Sequence, residues 1–156
     1  MSSDEAFVEE VLRALRDCGI EAIVIGSVAA LLQGVPITTE DMDILVRDTP
    51  KNREKLKRLE QVLGRRAVQI SPLSRTLRIP TPRAHVDVLF DEISGKLRFE
   101  ALRSRSVRVP LGGLEAVVAT LEDVIASKEA AGRPKDVAQL PILRDTLRVR
   151  KALEGN

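Results

Sequence analysis

Residues 22–46 read Ala-Ile-Val-Ile-Gly-Ser-Val-Ala-Ala-Leu-Leu-Gln-Gly-Val-Pro-Ile-Thr-Thr-Glu-Asp-Met-Asp-Ile-Leu-Val. Residues 22–25 form a short unbroken apolar run, the pattern of a strand buried on both faces. Gly26-Ser27 then turns directly into a second helix over residues 28–33, which Gly34 closes. Residues 42–46 make another apolar strand, and it is headed by the acidic pair Asp41 and Asp43. A strand, a glycine turn into a helix, and a second strand with acids at its start define a unit to which the rest of the chain attaches.

Before this unit, Ser2 and Glu5 have the spacing of a capping box, and Val8, Val11, Leu12 and Leu15 follow helical periodicity up to Gly19. After it, Thr49-Pro50 opens a charged helix whose apolar stripe is Leu56, Leu59 and Leu63, with Gly64 as its stop. Residues 76–79 and 85–90 alternate as strands, and residues 107–111 and 114–118 flank Gly112-Gly113 as a hairpin. Thr120 and Asp123 open a helix that ends at Gly132. Pro134 begins a final helical segment in which Pro141 is expected to make a break or a second start. Helices and strands in this order predict an α+β fold, a mixed β-sheet flanked by α-helices, rather than repeated βαβ units. With 156 residues and no repeat, low-complexity tract or long linker, the chain reads as one domain, 1–156.

Composition narrows the function classes. Hydrophobic residues are 44% and charged residues 31%, a globular balance. The longest apolar stretch, residues 20–32, is interrupted by Glu21, Gly26 and Ser27, so no membrane span is expected. Met1-Ser2-Ser3-Asp4-Glu5 is an acidic start unlike a secretory signal, which makes the cytoplasm the expected compartment. One cysteine, Cys18, and one histidine, His85, exclude an internal disulfide and zinc sites built from several imidazoles or thiolates. Charge is uneven. Residues 1–46 hold nine acids against two bases, and residues 47–108 hold sixteen bases against seven acids. That asymmetry suggests a cation bound next to a polyanion. Three Phe with no Trp or Tyr argue against a base-stacking platform for single strands.

Side chains alternate along a strand, so Asp41 and Asp43 point to one face and Met42 to the other. Two carboxylates this close repel each other unless a cation lies between them, and Mg²⁺ favours such oxygen ligands. Asp87 sits inside His85-Val86-Asp87-Val88-Leu89-Phe90, where an acid needs a partner: a metal ion, or a salt bridge to Arg78 or Arg83. On a strand beside Asp41 and Asp43 it completes a three-carboxylate cluster suited to in-line phosphoryl displacement. Gly26 lets a ligand approach the backbone, and the helix start offers free N–H groups to phosphate. Lys128 reads either as a partner of a triphosphate or as a solvated lysine. Asp136 reads as a structural acid in a first helical turn, His85 as a strand-edge residue and Cys18 as core packing.

Gly26-Ser27, thirteen residues, then Asp41-Met42-Asp43-Ile44, with a third acid on a later strand, resembles the signature of the DNA polymerase β-like nucleotidyltransferase superfamily. Thr39 is similar to a Thr found two residues before the first Asp in many small members. Leu121 to Lys128, followed by Gly132-Arg133-Pro134-Lys135-Asp136, resembles the lysine and Arg-x-Lys-Asp segment of minimal nucleotidyltransferases, including those related to abortive-infection toxins. The likeness covers roughly residues 20–145. Two positions depart from it: Ile37 stands where many relatives have Arg, and Gln139 where many have a second Asp.

The resemblance implies a Mg²⁺-dependent (or Mn²⁺-dependent) nucleotidyltransferase that moves a nucleoside monophosphate from a nucleoside triphosphate to an acceptor, whether RNA, protein or a small molecule. It also implies a setting in toxin–antitoxin or phage-defence systems. Asp41, Asp43 and Asp87 would be the catalytic, metal-binding acids, and Gly26, Ser27 and Lys128 would contact the nucleotide. One competing expectation is a catalytically silent binding or regulatory partner on the same fold. A nucleic-acid-binding module using the basic middle is another, and the acids buried beside it argue against that.

Overall fold

A computed structural model describes residues 2–64 and 66–155. Of the expected domain 1–156, Met1, Arg65 and Asn156 lie outside the described residues. The first helix, α1, spans Ser3–Asp17; the Ser2 side chain caps it by accepting from the Glu5 N–H at 3.1 Å. Strand β1 is Ile23–Ile25, and helix α2 follows without a linker over Gly26–Leu32. The sequence placed that helix two residues later. It starts at Gly26 because Ile25 stays extended and Gly26, at φ +65°, makes the whole change of direction in one residue.

Strand β2 is Met42–Val46 and helix α3 is Pro50–Leu63, capped by Thr49 and closed by the left-handed Gly64. Then come β3 (Val68–Gln69), β4 (Leu77–Pro80), β5 (His85–Phe90), β6 (Glu92–Ile93) and β7 (Leu97–Arg98). Helix α4 spans Phe99–Arg105, and the hairpin strands are β8 (Val107–Leu111) and β9 (Leu114–Val118). Helices α5 (Leu121–Ala131) and α6 (Pro134–Glu154) complete the order.

Seven strands form one mixed sheet in the order β3-β4-β5-β2-β1-β9-β8, and β6 pairs with β7 apart from it. Antiparallel partners are β1 with β2, β4 with β5, β3 with β4 and β8 with β9, whereas β2 with β5 and β1 with β9 run parallel. Met42, Ile44 and Val46 on one face of β2 and Leu45 on the other are all fully buried. The sheet is therefore covered on both sides at its centre, which is why this strand has no polar residue apart from Asp43. Helix α1 packs on α3 and β9, while α5 packs on α2 and α6. One apolar cluster runs from Phe7 in α1 through the sheet to Leu143 in α6.

Several expectations shift. The edge pair β3, the β6–β7 pair and α4 carried too few periodic residues to be read: α4 buries only Phe99 and Leu102, one turn of pattern. Helix α6 runs through Pro141 without the expected break. The hydrogen bond that Pro141 cannot make belongs to the carbonyl of Val137, a residue half exposed to water, so the loss is tolerated.

Candidate active site

Register places the site. Asp43 of β2 stands directly opposite Ile25 of β1 on one side and Asp87 of β5 on the other, and Asp87 stands opposite Arg78 of β4. Paired residues share a sheet face, so Ile25, Asp43, Asp87 and Arg78 form one row. Asp41 lies just before β2 and is steered by short contacts. The Thr39 hydroxyl donates to the Asp41 carbonyl at 2.9 Å, and the Asp41 Oδ1 accepts from the His85 backbone N–H at 3.1 Å. The Asp41 carboxylate also lies 3.6 Å from His85 Nδ1.

Asp43 carries the strain of this row. Its pKa is pushed up to about 6 from 3.8, first by burial and then by the neighbouring Asp87 charge, with Asp41 adding. Lys135 and Lys128 pull the other way and do not offset it. On the opposite side of Asp43 is Gly26. A Cβ at Gly26 would sit 3.0 Å from Asp43 Oδ2, so a side chain there would press on the carboxylate.

Asp87, only 9% exposed, takes a different partner from the one the three-acid picture needs. Arg78 grips both its oxygens, Nε at 2.8 Å from Oδ1 and Nη2 at 3.0 Å from Oδ2. This is the salt bridge that the sequence offered as the alternative to a metal. With Asp87 turned to Arg78 and Asp41 to the His85 N–H, no three Asp, Glu, His or Cys side chains among the described residues stand ready to hold a metal ion together. In type the donors still fit a hard divalent cation: Asp43 and Asp87 lie side by side on adjacent strands with Asp41 just before β2, and the Asp43 pKa is raised first by burial and then by the charges of the other two.

The residues expected to contact a nucleotide form a second cluster against α2. Lys128 of α5 is 8% exposed, which removes the solvated-lysine reading. Its Nζ donates to Ser27 Oγ at 3.1 Å and lies 3.6 Å from Asp136 Oδ1. Burial lowers its pKa, and Asp136 only partly restores it. The Ser27 hydroxyl donates to Gln139 Oε1 at 2.9 Å, across 112 residues of chain. Asp136, 1% exposed, accepts from Arg133 Nε at 2.7 Å and from the Arg133 backbone N–H, so it caps α6 as well as facing Lys128. Its pKa stays low because Arg133 and Lys128 outweigh its burial.

Gly26, Asp43, Ser127, Lys128, Arg133 and Asp136 line one cleft together with apolar residues of β1, β5 and α5; it encloses about 460 Å³, part of it open solvent. The sequence offered Arg78 only as one of two salt-bridge partners for Asp87, and Gln139 only as a departure from the resemblance. No local pattern could give either one its contact, because each is joined to the site through a partner on another element. Ile37, one of the two departures from the resemblance, packs partly buried against the core. Cys18 is buried in that core, and His85 opens β5.

This mixed seven-stranded sheet with six flanking helices is the nucleotidyltransferase fold. The solution structure of the antibiotic-resistance factor ANT(2'')-Ia matches 98% of this chain and 95% of its own, at 16% identity and a TM-score of 0.65. The lincosamide antibiotic adenylyltransferase LnuA matches 94% of this chain and 98% of its own, at 10% identity and a TM-score of 0.66. TM1012 of Thermotoga maritima, described provisionally as a nucleotidyltransferase, matches 100% and 97% at 18% identity and a TM-score of 0.58. No protein-family model and no curated protein sequence matches the chain.

Proposed function

We propose that this chain is a nucleotidyltransferase, residues 1–156 acting as one minimal domain, that moves a nucleoside monophosphate from a nucleoside triphosphate to an acceptor hydroxyl in a reaction dependent on Mg²⁺ or Mn²⁺. The observation that carries the reading is geometric: Asp43 and Asp87 stand side by side on parallel strands, Asp41 lies two residues before Asp43, and the Gly26 turn faces the Asp43 carboxylate. Arg78 compensates Asp87, but Asp43 has no ion-pair partner among the described residues, and a buried carboxylate beside a second one is costly to keep in a fold unless a cation uses it. Asp41, Asp43 and Asp87 would hold the divalent ions, which supply charge neutralisation on the triphosphate and a more acidic attacking hydroxyl.

The chain's own groups then have separate tasks. Gly26, without a side chain, admits the phosphates to the backbone at the start of α2, where no side chain caps the helix. Lys128 neutralises phosphate charge from a buried position, and Ser27 fixes its ammonium group. The acceptor oxygen forms a bond to the α-phosphorus, the bond from that phosphorus to the β-phosphate oxygen breaks, and pyrophosphate leaves with the electron pair. Asp87 takes the hydroxyl proton once Arg78 releases one of its oxygens. Catalysis of this kind is mainly positioning and charge neutralisation.

ANT(2'')-Ia has been crystallised with adenylyl-2''-tobramycin and LnuA with lincomycin bound. These neighbours support adenylyl-type transfer for a chain of this size, with RNA, protein or a small molecule as the acceptor here. The likeness to abortive-infection-related enzymes supports a toxin–antitoxin or phage-defence setting. No helix among the described residues is long and apolar enough to cross a membrane, which accords with work in the cytoplasm.

Incubation with each α-labelled triphosphate, Mg²⁺ and a cell lysate tests the reading. Label transferred by the parent and not by Asp43→Asn supports it; no transfer and no triphosphate-dependent rise in melting temperature refutes it. The bidentate hold of Arg78 on Asp87 favours a second reading, a silent nucleotidyltransferase-fold partner. That protein would bind triphosphate and transfer nothing.

A further inference from the structure

The row of residues across the sheet has two ends. At one end, beside Ile25, are Gly26 and the Lys128 cluster, where the phosphates and the leaving pyrophosphate belong. In-line displacement brings the attacking oxygen from the opposite side of the phosphorus. Along the row that side lies over β5 and β4, where Asp87 is followed by Arg78 and then by Val68 of the edge strand. Arg78 is thus the first cation an incoming acceptor meets. A third of its side chain is exposed. Nε and Nη2 are committed to Asp87, and Nη1 donates to none of the described residues. A guanidinium with a free N–H edge facing solvent is built for a planar or tetrahedral oxyanion. Two residues before that edge strand, Arg66 is exposed and has no ion-pair partner among the described residues.

A polycationic acceptor, such as an aminoglycoside, would bring like charge onto Arg78. An acceptor carrying phosphate would do the opposite: it would engage Nη1 and draw the guanidinium outward, loosening its grip on Asp87 when an oxygen of that acid is needed for the hydroxyl proton. Resting on the transfer reaction proposed above, we infer that the acceptor is a hydroxyl compound bearing a phosphate group, recognised by Arg78 beside Asp87. A nucleic acid 3′ terminus and a small sugar phosphate share this chemistry.

The test uses the full chain with three acceptors: a short single-stranded RNA with a 3′ hydroxyl, glycerol 3-phosphate and tobramycin. With Mg²⁺ and α-labelled triphosphates, label is expected in the RNA or in glycerol 3-phosphate, and which of the two identifies the source, while tobramycin stays unlabelled. Arg78→Gln is expected to raise the KM for the labelled acceptor about tenfold and Arg78→Lys to recover part of the loss, while the triphosphate-dependent melting shift of the parent reports on the nucleotide site independently of either variant. In EDTA, anisotropy of fluorescein-labelled RNA gives a readout free of turnover. If RNA is the source, Arg78→Gln flattens the dependence of log affinity on log salt by about 0.7. Inorganic phosphate then competes with RNA for the parent protein, a measurement that needs no variant to fold. Preferential labelling of tobramycin, or an Arg78→Gln variant with unchanged acceptor KM, overturns the assignment. No label in either phosphate-bearing acceptor, with the melting shift intact, overturns it too and leaves the nucleotide site standing. Loss of the melting shift in the parent removes the transfer reading with it.

Discussion

Replacing Asp43 by Asn changes one charge at the centre of the acid row and almost no volume. In the folded protein the Asp43 pKa is about 6, against 3.8 for an unperturbed Asp. About two units of difference correspond to roughly 3 kcal/mol, since each unit is worth about 1.36 kcal/mol. The direction is unfavourable: the folded state holds the Asp43 proton more tightly than the unfolded state does. Stability from this residue is therefore intact below about pH 4, declines as pH rises through 4 to 6, and stays lost above. Asn carries no such penalty. Asp43→Asn in EDTA should match the parent near pH 4 and exceed it at pH 8 by up to roughly 3 kcal/mol. At about 2–4 °C per kcal/mol for a chain of this size, that is a rise of several degrees in melting temperature. Mg²⁺ with triphosphate should stabilise the parent by mass action and leave the variant unmoved. Urea denaturation from pH 4 to 8, with EDTA and then with Mg²⁺ and triphosphate, measures all of this. An Asn variant that is less stable than the parent at pH 8 in EDTA, with its nucleotide response unchanged, would refute the reasoning.

Gly26→Val places branched carbons where a Cβ alone is 3.0 Å from Asp43 Oδ2, at a backbone with φ +65°. It should cost roughly 1–2 kcal/mol of stability, leave a folded protein by circular dichroism, and abolish the triphosphate-dependent melting shift. Lys128→Met keeps the volume and removes a buried cation; calorimetry should show triphosphate affinity falling at least about tenfold, as for loss of a charged hydrogen bond. In the parent the same affinity should decline with rising pH earlier than an ordinary lysine would dictate, because burial holds the Lys128 pKa down. Gln139→Glu puts a carboxylate against Ser27 and next to Lys128, and titration calorimetry should show weaker triphosphate binding with the melting temperature in EDTA little changed.

What could be read along the chain was whatever local chemistry decides. Strand β2 follows from its apolar run, β5 from its alternation, α1, α3 and α5 from their caps at Ser2, Thr49 and Thr120, and the turn at Gly26 from the one residue that accepts φ +65°. Spacing alone put Asp43 and Asp87 on strands able to share a face, with Asp41 at the entry to the first of them. The failures also have local causes. Helix α4 and strand β3 are too short to repeat an apolar pattern, and at Pro141 the orphaned carbonyl lies on a half-exposed residue, so the helix continues. Tertiary structure alone decided the partners. That β2 and β5 lie parallel with Asp43 against Asp87, that Arg78 arrives from β4 to take both Asp87 oxygens, and that Gln139 crosses 112 residues to hold Ser27 are all matters of register and packing. So are the burial that lifts the Asp43 pKa and the burial that lowers that of Lys128. Hydrophobic period and turn chemistry act within a few residues, but the charge environment of an acid is set by whatever the folded chain brings within a few ångströms of it, and no local pattern encodes that.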